Sequence, residues 1–200
     1  MKKLLIASGN HHKVLEIKEM LSKTPVEIFS LNDIENTVSE PIESGVTFKE
    51  NAEIKARAYV DIFDGWILAD DSGICVAELQ GEPGIYSARY AGEDATDEDN
   101  REKLKIEMAK LKRDKSEAYF VCSICLIHPD REKIDYFEGK WHGQIELNEK
   151  GLKGFGYDPL FFIPELNKSA AELDESVKNK LSHRGLALGK MKEKIKLIFS

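Results

Sequence analysis

The chain has 200 residues, of which 42% are hydrophobic and 32% charged, and a formal net charge of −7 at pH 7. This length makes one domain, or one domain with two lobes, and can bury a substantial core. The acidic balance argues against a general nucleic-acid surface or an anionic-membrane surface, so a polyanionic ligand would need a local cluster of Lys and Arg.

Residues 2–7 (KKLLIA) read as a first strand, buried on both faces. Their short apolar run is inadequate for a signal-peptide core, and no stretch is long enough to span a membrane. With three cysteines and no export signal, the sequence predicts reduced thiols and a cytoplasmic location. Ser8-Gly9-Asn10-His11-His12-Lys13 follows the strand and leads into a helical stripe of Val14, Ile17 and Leu21. A strand–loop–helix junction of this kind gathers backbone N–H groups and Lys13 where a phosphate is attracted. The plain alternative makes Asn10 an N-cap, Lys13 a solvated charge, and His11 and His12 surface residues.

Val26–Leu31 reads as a second strand, and residues 32–45 as an irregular acidic loop carrying Glu35, Glu40 and Glu43. Thr47 and Glu50 have capping-box spacing and predict a helix running to about Phe63. Its polar residues Glu50, Asn51 and Lys55 fall within about a turn and a half, forming either a solvated face or a set of cleft-lining ligands.

The stretch from Leu68 to Gly92 reads as the centre of the protein. Trp66-Ile67-Leu68-Ala69 reads as the end of a buried strand, stopping at Asp70 and Asp71. Side chains alternate along a strand, so only one of two adjacent aspartates can face a given cleft. One is expected to serve metal or water chemistry and the other to hold a turn. A Gly-Glu-Pro-Gly turn at 81–84 then leads to Ser87-Ala88-Arg89-Tyr90, which returns a cation and hydroxyls toward the acids. The alternative is an Asx-turn with a solvated Arg89.

Thr96 and Asp99 again have capping-box spacing, ahead of a helix with Leu104, Met108 and Leu111, read as packing without chemistry. Tyr119–Ile127 and Ile134–Ile145 read as two strands joined by a turn. Cys122 and Cys125 have C-x-x-C spacing, but at i and i+3 of a strand they point to opposite faces, which predicts two buried thiols rather than zinc or redox chemistry. In Lys153-Gly154-Phe155-Gly156-Tyr157-Asp158-Pro159 two glycines bracket an aromatic, so Phe155 can project from a thin loop. Position 159 is proline, so this is not a dinucleotide fingerprint. Ser169 and Glu172 give a third capping-box signal. Lys178, Ser182, His183 and Arg184 lie near the junction with a last helix running from Gly185 to about Phe199.

Carboxylates for a divalent cation (Glu43, Asp70, Asp71), cations for phosphates (Lys13, Lys55, Arg89, Lys153, Lys178, Arg184) and rings to stack on a base (Phe155, Tyr157) together make the set that nucleoside-triphosphate chemistry requires. The Walker A pattern and the kinase loop set are both missing.

Seven segments carry a resemblance: SGNHHK at 8–13, TFKENAEIKA at 47–56, ADDSGICV at 69–76, PGIYSARYAG at 83–92, GFGYDPLFFIP at 154–164, SAAEL at 169–173 and KNKLSHRGLAL at 178–188. In these the chain resembles the inosine triphosphate pyrophosphatase, or Ham1-like, family nearly end to end. The resemblance implies an α/β fold, an elongated mixed β-sheet with flanking helices and two lobes around a central cleft, in a single domain over residues 1–200 that forms a homodimer. It implies Mg²⁺-dependent hydrolysis of ITP, dITP and XTP to the monophosphate and pyrophosphate, cleansing the nucleotide pool. By motif position, Ser8, Gly9, Asn10, His11, His12 and Lys13 would wrap the triphosphate, and Asp71 would be general base and metal ligand. Ser72 would contact substrate, and Phe155, Gly156, Tyr157 and Asp158 would hold base and sugar. Lys178, His183 and Arg184 would complete the pocket. Glu43 is the expected second metal carboxylate, with Glu40 as the alternative. Two other readings compete: a metal-dependent phosphomonoesterase, whose nucleophile signature needs D-x-D where this chain has Asp70-Asp71-Ser72-Gly73, and a nucleotide-binding protein without catalysis.

Overall fold

A computed structural model describes residues 2–34 and 41–199, with side chains described as far as residue 196. Seven strands form one mixed sheet in the order β2-β1-β3-β4-β5-β6-β7. The strands are β1 (Lys2–Ile6), β2 (Val26–Ser30), β3 (Trp66–Val76), β4 (Lys115–Ile127), β5 (Ile134–Glu146), β6 (Phe161–Ile163) and β7 (Lys168–Ser169). β1 pairs in parallel with β2 (Leu4 opposite Ile28) and with β3 (Leu5 opposite Ile67). β6 is antiparallel to β5 and to β7. The helices are α1 (His11–Leu21), α2 (Phe48–Arg57), α3 (Asp97–Lys110), α4 (Glu175–Leu181) and α5 (His183–Phe199).

All three capping boxes form. Thr47 Oγ1 accepts from the Glu50 N–H and Thr96 Oγ1 from the Asp99 N–H, so α2 and α3 begin where the sequence predicts. The Ser169–Glu172 box caps only a single 3-10 turn, Ala170–Glu172, and α4 starts later, at Glu175. Two further expectations are corrected. α2 ends at Arg57 rather than near Phe63, the following residues forming turns that still bury Tyr59 and Phe63. Leu111 caps α3 and is half exposed, so it lies outside the apolar stripe of Leu104 and Met108.

The chain divides into two compact units, residues 1–71, 122–139 and 184–200 forming the first and residues 72–121 and 140–183 the second. The first unit has two apolar clusters. One contains Leu4, Ile6, Ile17, Leu21, Trp66, Leu68 and Cys122 with Leu188 and Met191 of α5, and the other contains Leu5, Ala52, Ala56, Ile67, Ala69 and Cys125. Residues of β1, β3 and β4 alternate between the two clusters, as the period of two for strand side chains requires. Cys122 and Cys125 accordingly lie in different clusters, and all three cysteines are free thiols, with no disulfide. The second unit has its own core around Ile74, Leu104, Met108, Phe120, Trp141, Tyr157 and Phe161. Among the described residues no helix is long and apolar enough to cross a membrane.

Candidate active site

The sequence suggests that β3 stops at its two acids. Instead it runs straight through them, and Asp70, Asp71 and Ser72 are consecutive strand residues. The uninterrupted apolar surroundings explain this: Ile74 and Val76 extend the buried strand beyond the acids. Pleating then separates the carboxylates.

Asp70 lies on the Leu68 face, with its side chain fully buried, 3.3 Å from Lys13 Nζ and 3.3 Å from Arg184 Nη2. Arg184 Nη1 also donates to Glu16 on α1, so one guanidinium joins α1, β3 and the start of α5. Burial alone would raise the Asp70 carboxyl, but Lys13, Arg184 and Lys55 outweigh it and hold it well below the usual carboxylate range. Asp70 is therefore a fixed anion that locates Lys13. The solvated-charge reading of Lys13 does not hold: its side chain is only 14% exposed.

Asp71 faces the other way, toward α2. Lys55 Nζ donates to Asp71 Oδ1 at 2.8 Å and lies 3.2 Å from Glu43 Oε1. Burial lowers the Lys55 ammonium, and Asp71, Asp70 and Glu43 more than offset it, so Lys55 stays charged. For Asp71, burial prevails over the attraction of Lys55 and Lys13, and its carboxyl is raised. Its second oxygen, Oδ2, is buried and accepts no hydrogen bond among the described residues. Asn51 Oδ1 accepts the Gly45 N–H at 2.8 Å and ties the segment bearing Glu43 to α2. Of the polar residues of α2, Asn51 and Lys55 are thus buried rather than solvated, whereas Glu50 is exposed and closes the capping box. Glu40 lies outside the described residues.

At the start of α1, Asn10 is the N-cap: its Oδ1 accepts the Lys13 N–H at 3.1 Å, and Ser8 Oγ accepts the Asn10 N–H. Gly9, Asn10, His11 and His12 are exposed there, around a helix N-terminus that attracts anions.

The second unit holds the remaining predicted residues. Gly154 and Gly156 both take left-handed φ angles, +77° and +61°, and leave Phe155 half-buried at the apex of the loop. Asp158 Oδ2 accepts the Phe155 N–H at 2.9 Å and pairs with Lys178 Nζ at 2.7 Å. That ammonium also sits 4.9 Å from the centre of the Phe155 ring. Tyr157 is buried, and its hydroxyl donates to the Ser87 carbonyl. Ser72 is half-buried. His183, the first residue of α5, is buried and stacked on Phe120, with ring centres 4.8 Å apart and planes 11° apart.

The structure therefore brings Lys13, Asp70 and Arg184 together, and separately Lys55, Asp71 and Glu43. A third group is Phe155, Asp158 and Lys178. Arg89 pairs with the exposed Glu93, and Lys153 with the exposed Asp174. The sequence gives one local signal for Glu16, its spacing of three from Lys13 on one helix. Among the described residues no cluster of three or more His, Cys, Asp or Glu is arranged to hold a metal ion.

Comparison with known proteins adds an independent line. A model of the Ham1 family matches residues 4–194. A dITP/XTP pyrophosphatase of Thermoanaerobacter sp. (strain X514) is 46% identical over 194 residues, covering 96% of each chain. One from Clostridium perfringens is 46% identical over 202 residues, covering 98% of each. Among solved structures, a HAM1 protein from Coxiella burnetii superposes with a TM-score of 0.89 at 36% identity, over 98% of this chain and 99% of that one.

Proposed function

The chain belongs to the Ham1 family, and from that premise we propose that it hydrolyses ITP, dITP and XTP to the nucleoside monophosphate and pyrophosphate. The observation that carries the chemistry is Asp71: a buried carboxylate with one oxygen held by Lys55 beside Glu43 and the other accepting no hydrogen bond among the described residues. An oxygen of that kind suits a water or a cation, and a raised carboxyl suits a proton acceptor.

In this reading Asp71 orients the attacking water and takes its proton. Lys13, fixed by Asp70, and the start of α1 (Ser8, Gly9, Asn10, His11, His12) bind the phosphates. Lys55 keeps Asp71 and Glu43 from repelling each other. Asp71 and Glu43 would hold Mg²⁺, which supplies charge neutralisation at the phosphates when bound. Two carboxylates fit this ion, because Mg²⁺ takes its other ligands from waters and substrate phosphates rather than from a protein cage. That also accounts for the lack of a larger cluster of protein ligands among the described residues.

The base is assigned to the Phe155 ring with Ser72, Gly156, Tyr157, Asp158, Lys178, His183 and Arg184. Hypoxanthine and xanthine present a carbonyl at position 6 where adenine presents an amino group. Each donor left facing that amino group costs roughly 1–3 kcal/mol, or about 5- to 150-fold. Rejecting an excess of ATP therefore takes several donors acting together. We further propose a homodimer and a cytoplasmic role without nucleic-acid or membrane binding.

The test is to incubate the protein with Mg²⁺ and XTP, dITP, ITP or ATP and measure pyrophosphate. Pyrophosphate from the first three, at rates far above that from ATP, is expected. Equal rates, or orthophosphate as the direct product, would overturn the reading.

A further inference from the structure

The loop that carries Phe155 is held from outside by a helix that its sequence marks only for packing. Asp97, the first residue of α3, accepts the Gly156 N–H at 2.7 Å through Oδ2. One turn along the same helix, Arg101 Nη1 donates to the Gly156 carbonyl at 3.0 Å. Both polar groups of one glycine are thus bonded to two side chains at i and i+4, which lie on one helix face. Arg101 is itself steadied: its Nε lies 3.2 Å from Glu149 Oε1, which Lys105 also contacts at 2.6 Å. Asp97, Arg101 and Lys105 form a charged stripe with a spacing of four, and its first two members end on the loop.

The geometry matters because of where Gly156 sits. The peptide unit between Phe155 and Gly156 is planar, so fixing its N–H fixes its carbonyl too. The Asp158 N–H donates to that Phe155 carbonyl, and Asp158 Oδ2 accepts the Phe155 N–H. The peptides on both sides of the Phe155 Cα are therefore anchored, one by Asp158 and the other by Asp97 and Asp158 together. Gly154 and Gly156 have the widest backbone choice of any residue, so without such anchors this loop would sample many orientations of the ring.

We propose that Asp97, which holds the Phe155–Gly156 peptide, and Arg101, which holds the next peptide through the Gly156 carbonyl, are positioning residues that fix Gly156 and thereby set how Phe155 meets the purine. This rests on the assignment of Phe155 to the base made above. Neither residue is proposed to touch the phosphates or the water, so the clamp acts on binding and base choice rather than on the chemical step.

The experiment has two readouts. In nucleotide-free protein, hydrogen exchange of peptides covering 153–160 should speed up at least fivefold in Asp97→Ala and in Arg101→Ala, while exchange in β4 is unchanged. In steady-state assays with XTP, each variant should raise KM about 5- to 30-fold, as loss of a charge-assisted hydrogen bond implies, with kcat within twofold. Asp97→Asn retains an acceptor oxygen and should restore KM to within about threefold, as a merely space-filling role would not require. Lys105→Ala should leave KM unchanged. Faster exchange with an unchanged KM would show a clamp that does not serve the base, and unchanged exchange would show no clamp; either overturns the proposal. So would a fall in kcat at constant KM. Should the wild-type chain release no pyrophosphate from any purine triphosphate, the functional reading fails and takes the ring's role with it, while the exchange data still decide whether α3 holds the loop.

Discussion

Asp70 and Asp71 are adjacent in one strand, yet their carboxylates belong to different ion clusters, Asp70 with Lys13 and Arg184 and Asp71 with Lys55 and Glu43. Strand pleating alone produces that separation. It gives two identical residue types different tasks, and the two substitutions should part accordingly.

Asp71→Asn keeps the shape and an acceptor but cannot take a proton. Pyrophosphate release should fall by at least about a thousandfold, comparable to losing a general base together with its charge, while calorimetry still detects XTP binding. Substantial residual turnover would assign the base elsewhere. Asp70→Asn removes the anion between two buried cations, and breaking a buried pair costs about 3–5 kcal/mol. Its signature is thermal: Tm should drop by about 6 °C or more.

The two glycines of the Phe155 loop also predict unequal outcomes. A Cβ on Gly154 would lie 2.1 Å from Asp158 Oδ2, on a backbone with φ of +77°. Gly154→Ala should therefore displace the Asp158–Lys178 pair and raise KM strongly. A Cβ on Gly156 meets nothing within 4 Å, so Gly156→Ala carries only the left-handed penalty of about 1–2 kcal/mol. Chemical denaturation and KM measured side by side check the ranking. Equal effects would mean that the contact with Asp158 is not what demands glycine at 154.

Stability should decline in acid for a definable reason. Glu53, hydrogen-bonded by Tyr136, and Glu146, hydrogen-bonded by Lys115 and Lys150, are held below the ordinary glutamate value of 4.5. For Glu149, burial pushes upward but Lys105 and Arg101 prevail and hold it low as well. A carboxyl depressed in the folded state binds fewer protons there than in the unfolded chain. Its contribution is therefore complete above the unfolded value and is lost as pH falls from about 4.5 through the folded value. Urea midpoints at pH 7, 5, 4 and 3 should be nearly flat down to pH 5 and then decline. Rising stability between pH 5 and 3 would contradict these pairs.

Thiol chemistry offers a fourth check. Burial pushes the Cys125 thiol up to about 12, and Cys75 and Cys122 are also raised by burial. Thiolate is the reactive form, so the native protein should react slowly with a disulfide reagent at pH 8, and three equivalents should appear on denaturation. Rapid reaction of the native chain would mean that the strands bearing these residues open readily.

Much of this was readable from residues because the signals were local. Thr47–Glu50, Thr96–Asp99 and Ser169–Glu172 each announced a helical turn within four positions. The opposite facing of Cys122 and Cys125, and of Asp70 and Asp71, follows from a period of two. Failure came where a distant neighbour decides. The apolar run places the end of β3 at its acids, but the strand runs on because Lys13, Lys55 and Arg184, remote in sequence, pair with two charges that would be costly alone. Nothing local marks what Glu16 or the α3 residues Asp97 and Arg101 bind, because their partners, Arg184 and Gly156, are far along the chain.

The chain passes between its two units at residues 71/72, 121/122, 139/140 and 183/184, and each of these passages lies within a strand or at the first turn of a helix. A protease that needs an extended, accessible loop has no such loop to cut at those points. Nor can either half be obtained as one uninterrupted gene fragment, since the first is stitched from three pieces and the second from two. Dissecting this protein will require point changes, not truncation.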